Sequence, residues 1–353
     1  MNLLVLNPSF NIIAVLDIYE SIIWTDRYYD CGDFEIYTQV NEDTFTNLQP
    51  GNYIYSLNSD NVMIIEDRQI KVESDEGSKL IVKGHTLESI LKRRIVWDSI
   101  VLNGNFQTNI ETLLNQNAIS PTISARTIPT LTFVYSTNPT ITALTIDTQL
   151  NKENLYDAIK NLCDTKDIGF RIKLNTSLSG LVFELYSFED RSYTQSVNSY
   201  VVFSRNFENL ISSNYSETNS ESKNITLIEG KDTSDLPITM IVGTGSGIER
   251  REIFTDAKDL SWEVDGVAVT EPEYLLHMAQ KGLETLSSKM VEIALECEVD
   301  VTRMFKYRED FFIGDIVQLV SDFNIQGRAQ IIEMIYSQSL NGIETHPKFK
   351  MVE

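Results

Sequence analysis

Through the first hundred residues the apolar positions fall every second residue or in short β-branched runs, the pattern of half-buried strands. Residues 3–6 and 12–16 flank an Asn7-Pro8-Ser9 turn and read as a hairpin. A third strand covers 21–29. Beyond the Cys31-Gly32-Asp33 turn, Phe34, Ile36 and Thr38 alternate with Glu35, Tyr37 and Gln39. Two further apolar runs, 53–57 and 62–65, face each other across a polar turn at 58–61, and another pair meets at 74–77. Strands this close, joined by polar turns, predict an antiparallel barrel or sandwich rather than alternating β-α units.

The stretch 79–97, KLIVKGHTLESILKRRIVW, closes this region. A strand at 80–82 is expected to end at Gly84. Thr86 then N-caps a helical turn with Glu88 near its positive end, and Lys92, Arg93 and Arg94 stand at the negative end.

From Asp98 the periodicity changes. Thr108 and Glu111 have the spacing of a capping box for a short helix carrying Ile110, Leu113 and Leu114. The Thr/Pro/Ser-rich residues 120–142 read as loops and short edge strands. Leu155, Ile159 and Leu162 share one face of a helix over 152–165. Phe170, Ile172 and Leu174 then begin a two-stranded unit with 181–186. Residues 98–200 therefore form an α+β insertion in a mainly β chain.

β-Structure resumes at 201–203 and continues through 216–226 and 238–242. Thr270 and Glu273 form a second capping box, with Pro272 in the first turn. The helix 270–290 that follows is expected to bury Leu276, Ala279, Leu283, Leu286 and Met290. Strands follow at 292–300, 316–320 and 328–337.

Composition adds three limits. With 353 residues, 42% hydrophobic and 10% aromatic, the chain is long enough for two or three domains with real cores. A net charge of −22 argues against a broad surface that tracks nucleic-acid phosphates, and suits a wall past which DNA slides without sticking. Cys31, Cys163 and Cys297 are too few and too far apart for a disulfide framework or a zinc site, which points to synthesis in a reducing cytoplasm. The apolar N-terminus lacks a basic region before it, and no run approaches the length of a membrane span.

Candidate chemistry is sparse. Gly243-Thr-Gly-Ser-Gly247 lacks the Gly-Lys-Ser/Thr ending of a phosphate loop and reads as a turn. His85, His277 and His346 have no ligand-spaced partners, no Gly-x-Ser-x-Gly elbow occurs, and Cys163 has no nearby histidine in sequence. No catalytic, cofactor or metal residue is assigned. Among 51 acidic residues, a wall-hydrolysing carboxylate pair is an alternative that spacing does not single out. Carbohydrate binding through Trp24, Trp97 or Trp262 is another. The basic clusters Lys92-Arg93-Arg94 and Arg250-Arg251 stand out against the acidic background as candidates for pairing with a neighbouring acidic subunit.

Five segments carry a resemblance: SIIWTDRY at 21–28, GDFE at 32–35, VKGHTLESILKRRIVW at 82–97, GIERRE at 247–252 and FFIGDIV at 311–317. In this order they resemble the hub proteins of phage tail tips, the siphophage tail-hub family related in fold to the contractile-tail baseplate hub. The resemblance implies a homotrimer in which each chain supplies two similar antiparallel β-barrel domains. These make a pseudo-sixfold ring on the tail tube or distal tail protein, and present threefold symmetry to a spike, fibre or receptor-binding apparatus, with DNA passing only in transit. It further implies a first barrel over 1–97 with 201–245, the insertion at 98–200, and a second barrel over 246–353 containing the helix 270–290. The location implied is the virion tail tip. Many relatives continue into a lytic module; this chain stops at Glu353, so a lysin is expected as a separate chain.

Overall fold

The computed structural model describes residues 3–56, 59–73, 77–264, 266–300, 304–320, 326–339 and 342–352. The structure is mainly β. Among these residues the strands form five sheets, none of which closes on itself.

The largest sheet runs through eleven strands in sequence-scrambled order. It begins at Leu210–Thr218 and passes through Glu292–Val299, Gly342–Val352 and Gln326–Ser339. It then crosses to the N-terminal strands Ser21–Arg27, Asp33–Gln39, Gly77–Thr86, Val62–Glu73, Tyr53–Ser56 and Leu3–Leu6, and ends at Ile12–Leu16. Ile316–Val320 branches from Gln326–Ser339 and carries Val202–Ser204 in parallel on its other side. The crossing point is the antiparallel pairing of Glu333 with Arg27 through Ser339 with Ser21. Each half of the sheet has its own core. Trp24, Phe34, Ile36, Ile54 and Val82 fill the N-terminal one, and Phe203, Phe311, Val317, Ile331 and Phe349 the other. Tyr336 packs against both.

The N-terminal hairpins form as their alternation predicts: Phe34, Ile36 and Thr38 are buried, with Trp24 opposite Phe34 across the strand pair. Turn residues 58 and 74–76 lie outside the described residues, as does Leu57. The strand at 80–82 does not end at Gly84 but runs on to Thr86. Gly84 is there for a different reason. The partner strand bulges between Ile65 and Asp67, and a Cβ at 84 would be driven into the Ile64 carbonyl.

Residues 98–200 fold as α+β. Ile100–Asn105 pairs with Thr145–Leu150, and a three-stranded sheet orders Gly169–Leu174, Leu181–Tyr186 and Leu131–Val134. The helix Phe106–Leu114 is capped by the Asn105 carboxamide, which accepts from the Thr108 backbone N–H at 3.2 Å. Thr108 is thus the third residue of the helix rather than its cap, and Glu111 points away to the Tyr135 hydroxyl. Helix Leu155–Asp164 buries Leu155, Ile159 and Leu162 as expected, capped by Asn154. The core of this region also takes in Leu87, Ile90, Leu91 and Val96, so 87–96 is shared between the sheet and the insertion.

Ile225–Lys231, Pro237–Gly243 and Glu252–Asp256 form a separate three-stranded sheet, covered by the long helix Glu271–Ser287. The Glu273 carboxylate accepts from both the backbone N–H and the hydroxyl of Thr270, at 2.8 and 2.7 Å. The face this helix buries is not the leucine stripe. Tyr274, His277, Met278 and Gly282 are buried, whereas Leu276 and Leu283 are 52% and 48% exposed and Met290 lies beyond the helix end, exposed. Aromatic stacking decides the register: Tyr274 lies flat on Trp262, with centroids 4.1 Å apart, and Gly282 lets Ile228 and Thr226 approach the helix closely. No described helix is long and apolar enough to cross a membrane.

Candidate functional site

A cavity of about 220 Å³ with several charged side chains in its lining lies where three distant stretches of chain meet. The strand Ser21–Arg27 supplies Asp26, the turn before the strand Val62–Glu73 supplies Asp60 and Asn61, the insertion supplies Arg171, Tyr186, Glu189 and Arg191, and the C-terminal part supplies Tyr307, Phe312 and Asp315.

Asp26 is fully buried. Its carboxylate accepts from Asn61 Nδ2 at 2.8 Å, Trp24 Nε1 at 3.1 Å and Ser59 Oγ at 3.3 Å, and burial still pushes its pKa up. Arg308 ion-pairs with Asp60, and Arg171 reaches the same carboxylate at 3.5 Å while holding Glu184 at 2.6 Å. Arg191 bonds Asp315 at 2.8 Å and Glu189 at 2.6 Å. The Asp315 carboxylate also accepts from the backbone N–H groups of Glu189 and Phe312. Arg328 holds Asp190 at 2.9 Å.

Each guanidinium here meets a carboxylate from another segment, so the arrangement is an ionic clamp across the meeting point. The three histidines lie elsewhere. His85 bonds Glu66 from the end of the strand Gly77–Thr86; His277 is buried against Asp147 at 2.9 Å; His346 lies beside Glu344. No cluster of three metal-ligating side chains occurs among the described residues. Cys31 and Cys163 are buried free thiols.

The five predicted interface cations fall into two places. Lys92 and Arg93 close the 3-10 turn Leu87–Arg93, with Arg94 as the next residue. Thr86 makes no side-chain cap there; its hydroxyl accepts from the Gly32 N–H at 3.0 Å. Glu88 is buried and accepts from the Ile172 N–H at 2.7 Å, tying the turn to the insertion. The Lys92 ammonium lies 4.7 Å from the Tyr156 ring centroid, and Arg93 pairs with Glu66 at 3.2 Å. Arg250 and Arg251 stand apart, just before the strand Glu252–Asp256; Arg250 pairs with Glu252, and Arg251 donates to the Asn219 carbonyl. Gly243 ends one strand, and Gly247 opens the short turn Gly247–Glu249. Of the tryptophans, Trp24 is fully buried, Trp262 is stacked on Tyr274, and Trp97 is 47% exposed under the Arg126 guanidinium.

Sequence reasoning passed over Arg126, which donates to the Ile95 carbonyl and whose own carbonyl accepts from Arg94 Nε, both at 2.7 Å. A signal existed: it is the single cation between Arg94 and Lys152. Of the clamp residues only Asp26 and Asp315 fall in the segments that carry the resemblance, and nothing in the spacing of the others, scattered from Asp60 to Arg328, marks them as partners until the chain folds.

This fold is shared with solved phage tail proteins. The tail protein of Neisseria meningitidis MC58 superposes with a TM-score of 0.57 at 12% identity, covering 99% of this chain and 96% of that one. The 43 kDa tail protein of prophage MuSo2 from Shewanella oneidensis gives 0.58 at 10%, covering 99% and 98%. Prophage tail protein gp18 from Listeria monocytogenes EGD-e gives 0.54 at 11%, covering 99% and 94%. The chain belongs to the family of Siphovirus ReqiPepy6 Gp37-like proteins, whose sequence profile matches residues 2–349. Its fold is that of these tail proteins. No curated protein matches it significantly.

Proposed function

We propose that this protein is a non-enzymatic, homotrimeric hub of the phage tail tip or baseplate. It joins the sixfold tail tube, or a distal tail protein, to a threefold spike or fibre, and lines the channel through which DNA leaves. The observation that carries the reading is the joined sheet with a separate core in each half. Three copies of a chain with two β-halves present six β-units to a sixfold tube, while the insertions keep threefold symmetry. In this reading the two barrel-like domains are 1–97 with 201–245, and 246–353, around the insertion 98–200. The exception is 201–218: Val202–Ser204 and Leu210–Thr218 pair with C-terminal strands and Phe203 packs in their core, so this stretch goes with the second half. The small sheet at 225–256 bridges the boundary between them.

The net charge of −22 suits a DNA conduit, since a negative wall repels phosphates and avoids stalls. A permanent ring calls for more than about 2,000 Å² per interface. Lys92, Arg93, Arg94, Arg250 and Arg251 are proposed to lie on such interfaces. Light scattering with negative-stain imaging tests the reading. The expected particle is a trimer with a central channel on its threefold axis; a species that stays monomeric at high concentration and on assembled tails would count decisively against it.

A further inference from the structure

A groove of about 560 Å³ opens beside the 87–94 turn. Ile64, Ile90, Ile128 and Leu181 line its floor, and Phe10 stacks on Tyr53 at 5.3 Å along one wall. Arg93 and Arg94 stand on its rim; Arg94 Nε donates to the Arg126 carbonyl, and the Arg126 guanidinium lies next to them over the Trp97 ring.

These cations are not equivalent. Arg93 is matched by Glu66. Arg94 donates to the carbonyls of Arg126 and Arg93, and Arg126 to the Ile95 carbonyl and the Asn117 carboxamide. Neither meets a carboxylate among the described residues. Burial lowers the pKa of Arg94, and the charges of Arg126 and Arg93 lower it further. Arg94 and Arg126 are thus brought together near an apolar trough with no carboxylate of their own, Arg126 against the Trp97 ring, in a chain with 51 acidic and 29 basic residues. That combination suits an acidic partner with an apolar tip. It does not suit nucleic acid, which is held by a run of many cations along its phosphates.

We infer that the Arg94–Arg126 groove is a socket for an acidic, apolar-tipped loop of a second copy of this chain, an inference that rests on the trimeric hub reading. The chain displays such loops itself. Ile18 is 80% exposed beside Asp17, with Glu20 paired to Lys79, and Leu236 is 61% exposed beside Asp232, with Asp235 paired to Lys231. Socket and tip are different surfaces, so the contact is head-to-tail, the kind that closes into a ring.

The test is sedimentation velocity over a concentration series at low and high salt, with folding checked by circular dichroism. It compares the wild type, the double variant Arg94→Glu with Arg126→Glu, and Ser9→Trp, which fills the groove from an exposed position and keeps the charges. Both variants are expected to fold and to self-associate about tenfold or more weakly, with wild-type association weakening as salt rises. If the double variant does not fold, Ser9→Trp decides alone. Folded variants that associate as tightly as wild type overturn the socket and leave the hub reading standing. A wild type that never associates overturns both.

Discussion

At the scale of single residues, backbone proximity governs several positions that look interchangeable. Gly84 sits against the Ile64 carbonyl at the bulge, and Gly314, at φ +92°, sits against the Tyr28 ring. Gly84→Ala is expected to destabilise the protein by about 3 kcal/mol in urea denaturation, from overpacking against a carbonyl that the sheet holds in place. A loss under about 1 kcal/mol would mean that the bulged strand gives way freely. A glycine is visible in the sequence, but the atom it makes room for is not, which is why Gly84 reads as a strand end. Asn105 shows the same limit: Thr108 and Glu111 have the spacing of a capping box, yet the cap goes to the residue whose carboxamide reaches the third backbone N–H.

At the scale of elements, the long helix separates what periodicity can and cannot tell. Its existence and its start at Thr270 were legible from the Thr270-Pro272-Glu273 pattern; its buried face was not, because the stacking of Tyr274 on Trp262 outweighs the leucine stripe. Two consequences are measurable. Met278→Ala should cost about 3 kcal/mol by leaving a cavity against the sheet, whereas Leu276→Ser should stay within about 0.5 kcal/mol because its side chain is largely in solvent. Equal losses for the two in denaturant melts would reject this register.

The same helix carries a proton-linked element. Glu284 is pushed up to about 7, first by burial, with the Glu153 charge adding to the rise and Gln280 and the Lys281 charge opposing it. The folded carboxyl keeps its proton to higher pH than the unfolded one. Folding therefore takes up a proton between the ordinary glutamate range and about pH 7, and stability falls as pH rises across that window. Burial raises Glu153 too, which adds to the same slope. Glu284→Gln should flatten the pH dependence of the melting temperature between pH 5 and about 7; an unchanged slope would assign it to other groups.

At the scale of the whole molecule, the clamp between the N-terminal strands, the insertion and the C-terminal strands makes the parts one unit. Arg191→Met leaves Asp315 buried with only backbone donors and should cost about 3 kcal/mol. Calorimetry is expected to show the single transition broadening or splitting as the C-terminal strands loosen from the insertion; one sharp transition at the wild-type temperature would contradict this. The mainly β character, the N-terminal hairpins and the α+β texture of 98–200 were all legible, since each rests on neighbours in sequence. The joining of the sheet halves and the clamp were not. They depend on pairs such as Ser21 with Ser339, which no local pattern records.

That pairing sets an order of events during synthesis. The strand Ser21–Arg27 leaves the ribosome long before its outer neighbour Gln326–Ser339. Until then the N-terminal hairpins expose an unsatisfied strand edge bearing Ile22 and Trp24. Folding must wait for a contact that spans most of the chain, a slow step in which the waiting edge is open to pairing with other nascent chains. The seam that unites the finished molecule is thus also the point at which its biogenesis is most exposed to aggregation.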